Sequence, residues 1–152
     1  MKPQPLLTLA AAGLVTAQLS GKVGPTTSRD AKSAKKVCNV LSYGGVASAT
    51  TDNSAALEKA WEACKAGGQV LIPSGSYGLG KSVSLAGGKG VSVNLEGVLF
   101  RISSATAAGA LINVQAADDF ELYSGNSKGA IQGYGYELHK GMFRPYLRND
   151  VL

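Results

Sequence analysis

The sequence is short of the residues that build most small catalytic centres. Its 152 residues include one histidine, two cysteines and one tryptophan. With a single histidine and no Cys-x-x-Cys pair, no zinc-type spacing exists, and neither a metal nor a cofactor is expected. Acidic residues are few, ten against fifteen lysines and arginines, for a net charge of +5. The basic residues are not interleaved with aromatics, so the pattern of a nucleic-acid-binding surface is missing. Five prolines and a hydrophobic fraction of 45% exclude a disordered Gly/Pro tract. No apolar run reaches the roughly 20 residues of a membrane span. No Asn-Gly dipeptide marks a hairpin, and no Asn-x-Ser/Thr sequon marks a glycosylation site.

Glycine is what the chain has in excess: 20 residues, where average usage gives about 11. Its spread between short β-rich runs points to many tight turns. The amino terminus has the layout of an export signal, with Lys2 ahead of an uncharged apolar stretch at 6–15 and small residues ending at Ala17. Cleavage is expected after Ala17, giving a secreted, extracellular protein that starts at Gln18. Residues 18–36 are polar and aperiodic and are expected to form an extended arm. Within it Lys32, Lys35 and Lys36 form the densest basic group, expected as a solvated face. In an oxidising compartment, Cys38 and Cys64 invite one disulfide, worth about 3 kcal/mol for a loop of about 25 residues. Two buried thiols are the alternative.

Past the arm, residues 37–43 suit a short strand, broken at Gly44-Gly45. Thr51, Asp52, Asn53 and Ser54 then offer helix-capping oxygens. Leu57, Ala60, Trp61 and Cys64 fall at i, i+3, i+4 and i+7, the apolar stripe of one helix. That stripe assigns Trp61 to core packing rather than to sugar stacking. Gly67-Gly68 supplies the stop. After it, strand runs are expected at 69–72, 82–85, 91–102, 110–114, 120–123 and 129–132. Related runs recur every 20 to 30 residues or so, the interval of a solenoid. The expected fold class is therefore all-β: a right-handed parallel β-helix filling 37–152, with one N-terminal α-helix capping its open end. A β-sandwich competes less well, because it calls for evenly spaced strands and hairpin dipeptides.

The segments Val40-Leu41-Ser42-Tyr43-Gly44-Gly45, Thr51-Asp52-Asn53-Ser54 and Gly67-Gly68-Gln69-Val70-Leu71-Ile72-Pro73-Ser74-Gly75-Ser76-Tyr77 resemble the start of pectin-active β-helix proteins. A finer resemblance is to fungal rhamnogalacturonases of glycoside hydrolase family 28. It rests on Gln18-Leu19-Ser20-Gly21-Lys22-Val23-Gly24-Pro25, Cys38-Asn39-Val40-Leu41, Ala60-Trp61-Glu62-Ala63-Cys64, Asp119-Phe120-Glu121-Leu122-Tyr123-Ser124 and Gly129-Ala130-Ile131-Gln132-Gly133-Tyr134-Gly135-Tyr136. It covers residues 18 to about 139. Between Gly45 and Thr51 the family's Asp-rich link is replaced by Val46-Ala47-Ser48-Ala49-Thr50. The resemblance implies a Cys38–Cys64 bridge. It also implies inverting hydrolysis of a pectic backbone, by two or more aspartates in later coils than this sequence contains, in a protein monomeric at full length.

Inverting glycosidases need two carboxyl groups about 6.5–9.5 Å apart, one to protonate the leaving oxygen and one to activate water. The acids here do not suggest such a pair. Asp118-Asp119 is expected as a solvated turn, Asp52 as a helix cap, and Glu96 has no partner nearby. Asp150 carries no assignable role. No catalytic residue is named. His139, the one side chain titrating near neutrality, is expected at the surface. With Tyr134 and Tyr136 it forms a candidate sugar-groove edge, since aromatic rings pack on sugar faces. Gly133-x-Gly135 lacks the third glycine of a nucleotide loop. The expected partner is pectic polysaccharide, with no nucleic acid and no membrane. The enzyme reading competes with a catalytically inactive β-helix fragment or weak wall-polysaccharide binder.

Overall fold

The computed structural model of the chain describes residues 24–102 and 109–134. The expected signal segment 1–17, Tyr136, His139 and Asp150 lie outside the described residues. Among those described are helices α1 (Arg29–Lys35) and α2 (Ser54–Cys64). There are nine strands: β1 (Val37–Asn39), β2 (Gly68–Ile72), β3 (Ser76–Leu79), β4 (Val83–Ala86), β5 (Val91–Leu95), β6 (Val98–Arg101), β7 (Ile112–Gln115), β8 (Glu121–Tyr123) and β9 (Ala130–Gln132).

All the strand pairings are parallel, and they form three sheets, ordered β1-β2-β5-β8, β3-β6-β9 and β4-β7. The circuits β2-β3-β4 and β5-β6-β7 each lay one strand on each sheet, so the fold is all-β and parallel β-helix-like. Register carries the hydrophobic pattern from coil to coil. Cys38, Val70, Val93 and Leu122 are successive partners in the first sheet, Tyr77, Leu99 and Ile131 in the second, and Leu85 and Val114 in the third. Alternate residues of a strand point to one face, so these columns line the interior. Val70, Tyr77, Leu79, Val83, Val91 and Leu99 are all 2% exposed or less. The sandwich alternative fails, because no antiparallel pairing occurs among the described strands.

Several expectations are corrected. The run 91–102 is not one strand but two, β5 and β6, because the chain turns a corner at Glu96-Gly97. Residues 37–43 form a strand only to Asn39. A 3₁₀ turn over Val40–Tyr43 follows, started by the Asn39 side chain accepting from Leu41 N and ended by Gly44 in the left-handed region. Strand β3 went unforeseen, since Ser-Tyr-Gly-Leu lacks a β-branched run. Part of the expected extended arm is helical: Ser28 accepts from Ala31 N at the start of α1. This helix has no apolar stripe to betray it, because the residue it buries is Lys32. The solvated face expected for Lys32, Lys35 and Lys36 holds for the last two, but Lys32 is 1% exposed.

The corner leading into the second sheet is a column of glycines. Gly75, Gly97 and Gly129 each stand one residue ahead of β3, β6 and β9 and stack in register. Val98 N donates to Gly75 O (2.8 Å) and Ala130 N to Gly97 O (3.2 Å). A Cβ on Gly97 would lie 2.5 Å from Pro73 O and 2.7 Å from Gly75 O, and one on Gly129 2.0 Å from Leu95 O. Neighbouring coils approach too closely there for any side chain.

Helix α2 behaves as its periodicity demands. Leu57, Ala60, Trp61 and Cys64 are 2% exposed or less, and α2 packs against β1, β2, β4 and the 3₁₀ turn. Burying a side chain the size of Leu57 contributes roughly 1.5–3 kcal/mol. Trp61 Nε1 donates to Ala86 O at 3.0 Å, and the ring meets Phe120 edge-on at 5.9 Å. Cys64 is bonded to Cys38 on β1, with Cα atoms 6.1 Å apart. The disulfide thus ties α2 to the first strand of the first sheet.

Candidate functional site

The acidic side chains are the natural place to look for glycosidase chemistry. Of those described, six are each held by the fold. Asp52 Oδ1 accepts from Ser54 N and Gly80 N, both at 2.9 Å, joining the start of α2 to the turn after β3. Burial opposes ionisation there, but the Ser54 hydroxyl, the two backbone donors and the Lys81 charge together hold its pKa below the usual value. Glu58 pairs with Lys81 and Glu62 with Lys65. Glu96 accepts from Asn94 Nδ2 at 3.0 Å.

Asp119 is the most engaged of them, which corrects its expected place in a solvated turn. Its Oδ1 accepts from Thr26 N (2.7 Å), Thr27 N (3.2 Å) and Lys32 Nζ (3.3 Å), while its backbone oxygen also accepts from Lys32 Nζ (2.8 Å). The Lys32 side chain is 0% and that of Asp119 11% exposed. The Thr27 hydroxyl, the two backbone donors and Lys32 outweigh desolvation and hold the Asp119 carboxyl well below the usual carboxylate range. Asp119 is therefore a fixed anion and has no pKa suited to a general acid.

Beside it, Arg29 pairs with Glu121 and stacks over Tyr123, 4.2 Å from the ring centroid. Gln69 Nε2 donates to the Tyr123 hydroxyl. Segment 26–35 is thus strapped across the outer face of the first sheet, where Gln69 and Ser92 are buried. The turn between β8 and β9 is equally committed. Asn126 Nδ2 donates to Ser74 Oγ and Glu96 O, and Gly125 N donates to Asn94 Oδ1. Nothing local marks these contacts in the sequence, because Ser74, Glu96 and Asn126 lie on different coils.

Of the candidate groove residues, Tyr134 is described. It follows β9 on the second sheet, 36% exposed, with φ of 52°. Tyr136 and His139 lie outside the described residues. Among the described residues no group of three or more His, Cys, Asp or Glu side chains could hold a metal ion.

No family model matches the chain. Individual relatives do. The chain is 52% identical over 126 residues to rhamnogalacturonase A of Aspergillus aculeatus, a match covering 83% of this chain and 28% of the relative. It is 49% identical over 141 residues to rhamnogalacturonase A of Aspergillus niger, covering 92% and 31%. It is 50% identical over 123 residues to probable rhamnogalacturonase B of Neosartorya fischeri, covering 81% and 23%. The chain spans about 30% of the length of these relatives or less. With about half of its residues shared along most of its own length, it is a homologue of the fungal rhamnogalacturonases.

Proposed function

We propose that the chain forms the N-terminal coils of a secreted pectin-degrading glycoside hydrolase. The coils serve as scaffold, and aspartates of later coils perform an inverting hydrolysis of a rhamnogalacturonan or polygalacturonan backbone. The observation that carries this reading is the identity of about 50% to rhamnogalacturonases over 81–92% of the chain. The engagement of Asp52, Glu58, Glu62, Glu96, Asp119 and Glu121 in structural contacts supports it, since a carboxylate already accepting from an N–H donor or paired with a cation is a poor proton donor. Inverting chemistry asks for two acids about 6.5–9.5 Å apart with room for water between them. Acids on adjacent coils of one sheet meet that demand when offset by two residues along the strand, because about 4.8 Å between strands and about 6.6 Å along one place them about 8 Å apart.

The coils wind to the right, since parallel crossovers of twisted strands do so in about 98% of cases. Helix α2 caps the amino-terminal end of the stack. Its apolar face covers interior that a further coil would otherwise cover, and the disulfide holds it on β1. Export by the 1–17 signal and an extracellular setting agree with the disulfide.

Release of reducing ends from rhamnogalacturonan tests the reading. The 152-residue chain is expected to release none, while the chain extended by the downstream coding sequence cleaves it. Turnover by the 152-residue chain itself would overturn the assignment of chemistry to later coils. An inactive extended chain would favour a non-catalytic wall-polysaccharide binder.

A further inference from the structure

Four lysines from three separate segments meet at one turn, the one that follows α2. Lys35 Nζ donates to Ala66 O (2.9 Å) and Lys36 Nζ to Ala63 O (2.8 Å). Lys65 stands between those two carbonyls in sequence. Lys89 lies against it on the next coil, its N–H donating to Lys65 O at 2.7 Å. Lys35, Lys36 and Lys89 are exposed, and the Lys65 side chain keeps 39% of its surface.

Part of this arrangement is structural. The end of α2 carries unpaired carbonyls; Lys36 satisfies that of Ala63 in the last turn, and Lys35 satisfies that of Ala66 in the turn just past the helix. The charge present exceeds what that task requires. A helix carboxyl end carries about half a negative charge. The nearby acids are Glu62, paired with Lys65, and Asp118, the bridge partner of Lys89. Four ammonium groups against these leave the turn at about +1.5. Two lysines, Lys65 and Lys89, cap no helix carbonyl. They line the corner ahead of the first sheet, while Tyr134 follows the second sheet, so the cluster is separate from the candidate groove edge.

We propose that Lys35, Lys36, Lys65 and Lys89 form an accessory site for a carboxylated polysaccharide, a polyuronate chain laid along this corner. The choice of polyuronate among polyanions rests on the pectin-directed reading above. A linear polymer with a carboxylate on each residue suits ammonium groups presented by successive coils. Exposed pairs are individually weak and screened by salt, so the site holds polymer rather than monosaccharide and is strongest at low ionic strength.

The test is affinity electrophoresis of the purified chain in gels containing de-esterified polygalacturonate, methyl-esterified polymer of the same length, or duplex DNA. The expected result is retardation by polygalacturonate alone, weakening as salt rises. Lys65→Gln with Lys89→Gln is expected to weaken binding about three- to tenfold. Lys81→Gln with Lys128→Gln removes the same charge elsewhere and is expected to leave binding as it is. Lys35 and Lys36, which bond the carbonyls of this turn, stay in place, and an unchanged melting temperature confirms that the Lys65/Lys89 variant is folded. The proposal is overturned by equal binding of parent and the Lys65/Lys89 variant, by equal weakening in the control pair, or by retention on ester or DNA matching that on polygalacturonate. Hydrolysis by the extended chain is scored separately, so failure here leaves the enzyme reading standing.

Discussion

Replacing Gly97 by alanine puts the stacked-coil geometry to its most direct test. The added Cβ would sit 2.5 Å from Pro73 O and 2.7 Å from Gly75 O, where a carbon and an oxygen in contact need roughly 3.2 Å or more. Both obstacles are backbone, so no rotamer change relieves them and the corner between β5 and β6 must open. Opening it strains the bonds Val98 N to Gly75 O and Ala130 N to Gly97 O, each worth about 1 kcal/mol net. Overpacking adds about 1–3 kcal/mol. A destabilisation of about 3 kcal/mol follows, or about 6–12 °C in melting temperature for a chain of this size. Urea unfolding followed by the fluorescence of Trp61, the one tryptophan and fully buried, measures it. Gly133→Ala is the control, since a Cβ there meets nothing within 4 Å, and it is expected to change stability by less than about 0.5 kcal/mol. Equal midpoints for parent and Gly97→Ala would show that the coils are not packed this closely at their corner.

Tyr77→Phe is expected to stabilise the chain by about 1 kcal/mol or more. The Tyr77 hydroxyl is buried without a hydrogen-bond partner, and removing an unsatisfied buried polar group relieves its desolvation penalty. A lowered thermal midpoint would mean that the hydroxyl is satisfied. Reducing Cys38–Cys64, or replacing both by serine, is expected to cost about 3 kcal/mol, read as a lower urea midpoint. An unchanged midpoint would count against α2 being held by that bond. The depressed pKa of Asp119 makes the strap of residues 26–35 sensitive to acid. The folded value lies below the unfolded value of about 3.9, so the stabilisation is complete above that pH and is lost as pH falls towards the folded value. Amide exchange at Thr26 and Thr27 is expected to lose protection below about pH 4 in the parent. Asp119→Asn should already lack that protection at pH 6, and protection equal to the parent would refute the role given to the carboxylate.

Local chemistry made much of this protein legible from sequence. The i, i+3, i+4, i+7 stripe placed Leu57, Ala60, Trp61 and Cys64 on one buried helix face, because helical periodicity is a property of adjacent residues. The recurrence of Val70-Leu71-Ile72, Val91-Ser92-Val93-Asn94-Leu95 and Phe120-Glu121-Leu122-Tyr123 foretold β2, β5 and β8, which do share a sheet, because stacked coils repeat the same inward pattern. Tertiary structure alone decided the rest. Lys32 and Asp119 are 87 residues apart, and neither carries a local mark of burial. Each is an ordinary surface residue until α1 lies on the sheet and withdraws water from both. The Gly75–Gly97–Gly129 column depends likewise on which coil stacks on which, since the carbonyl that forbids a Cβ at Gly97 belongs to the coil before it.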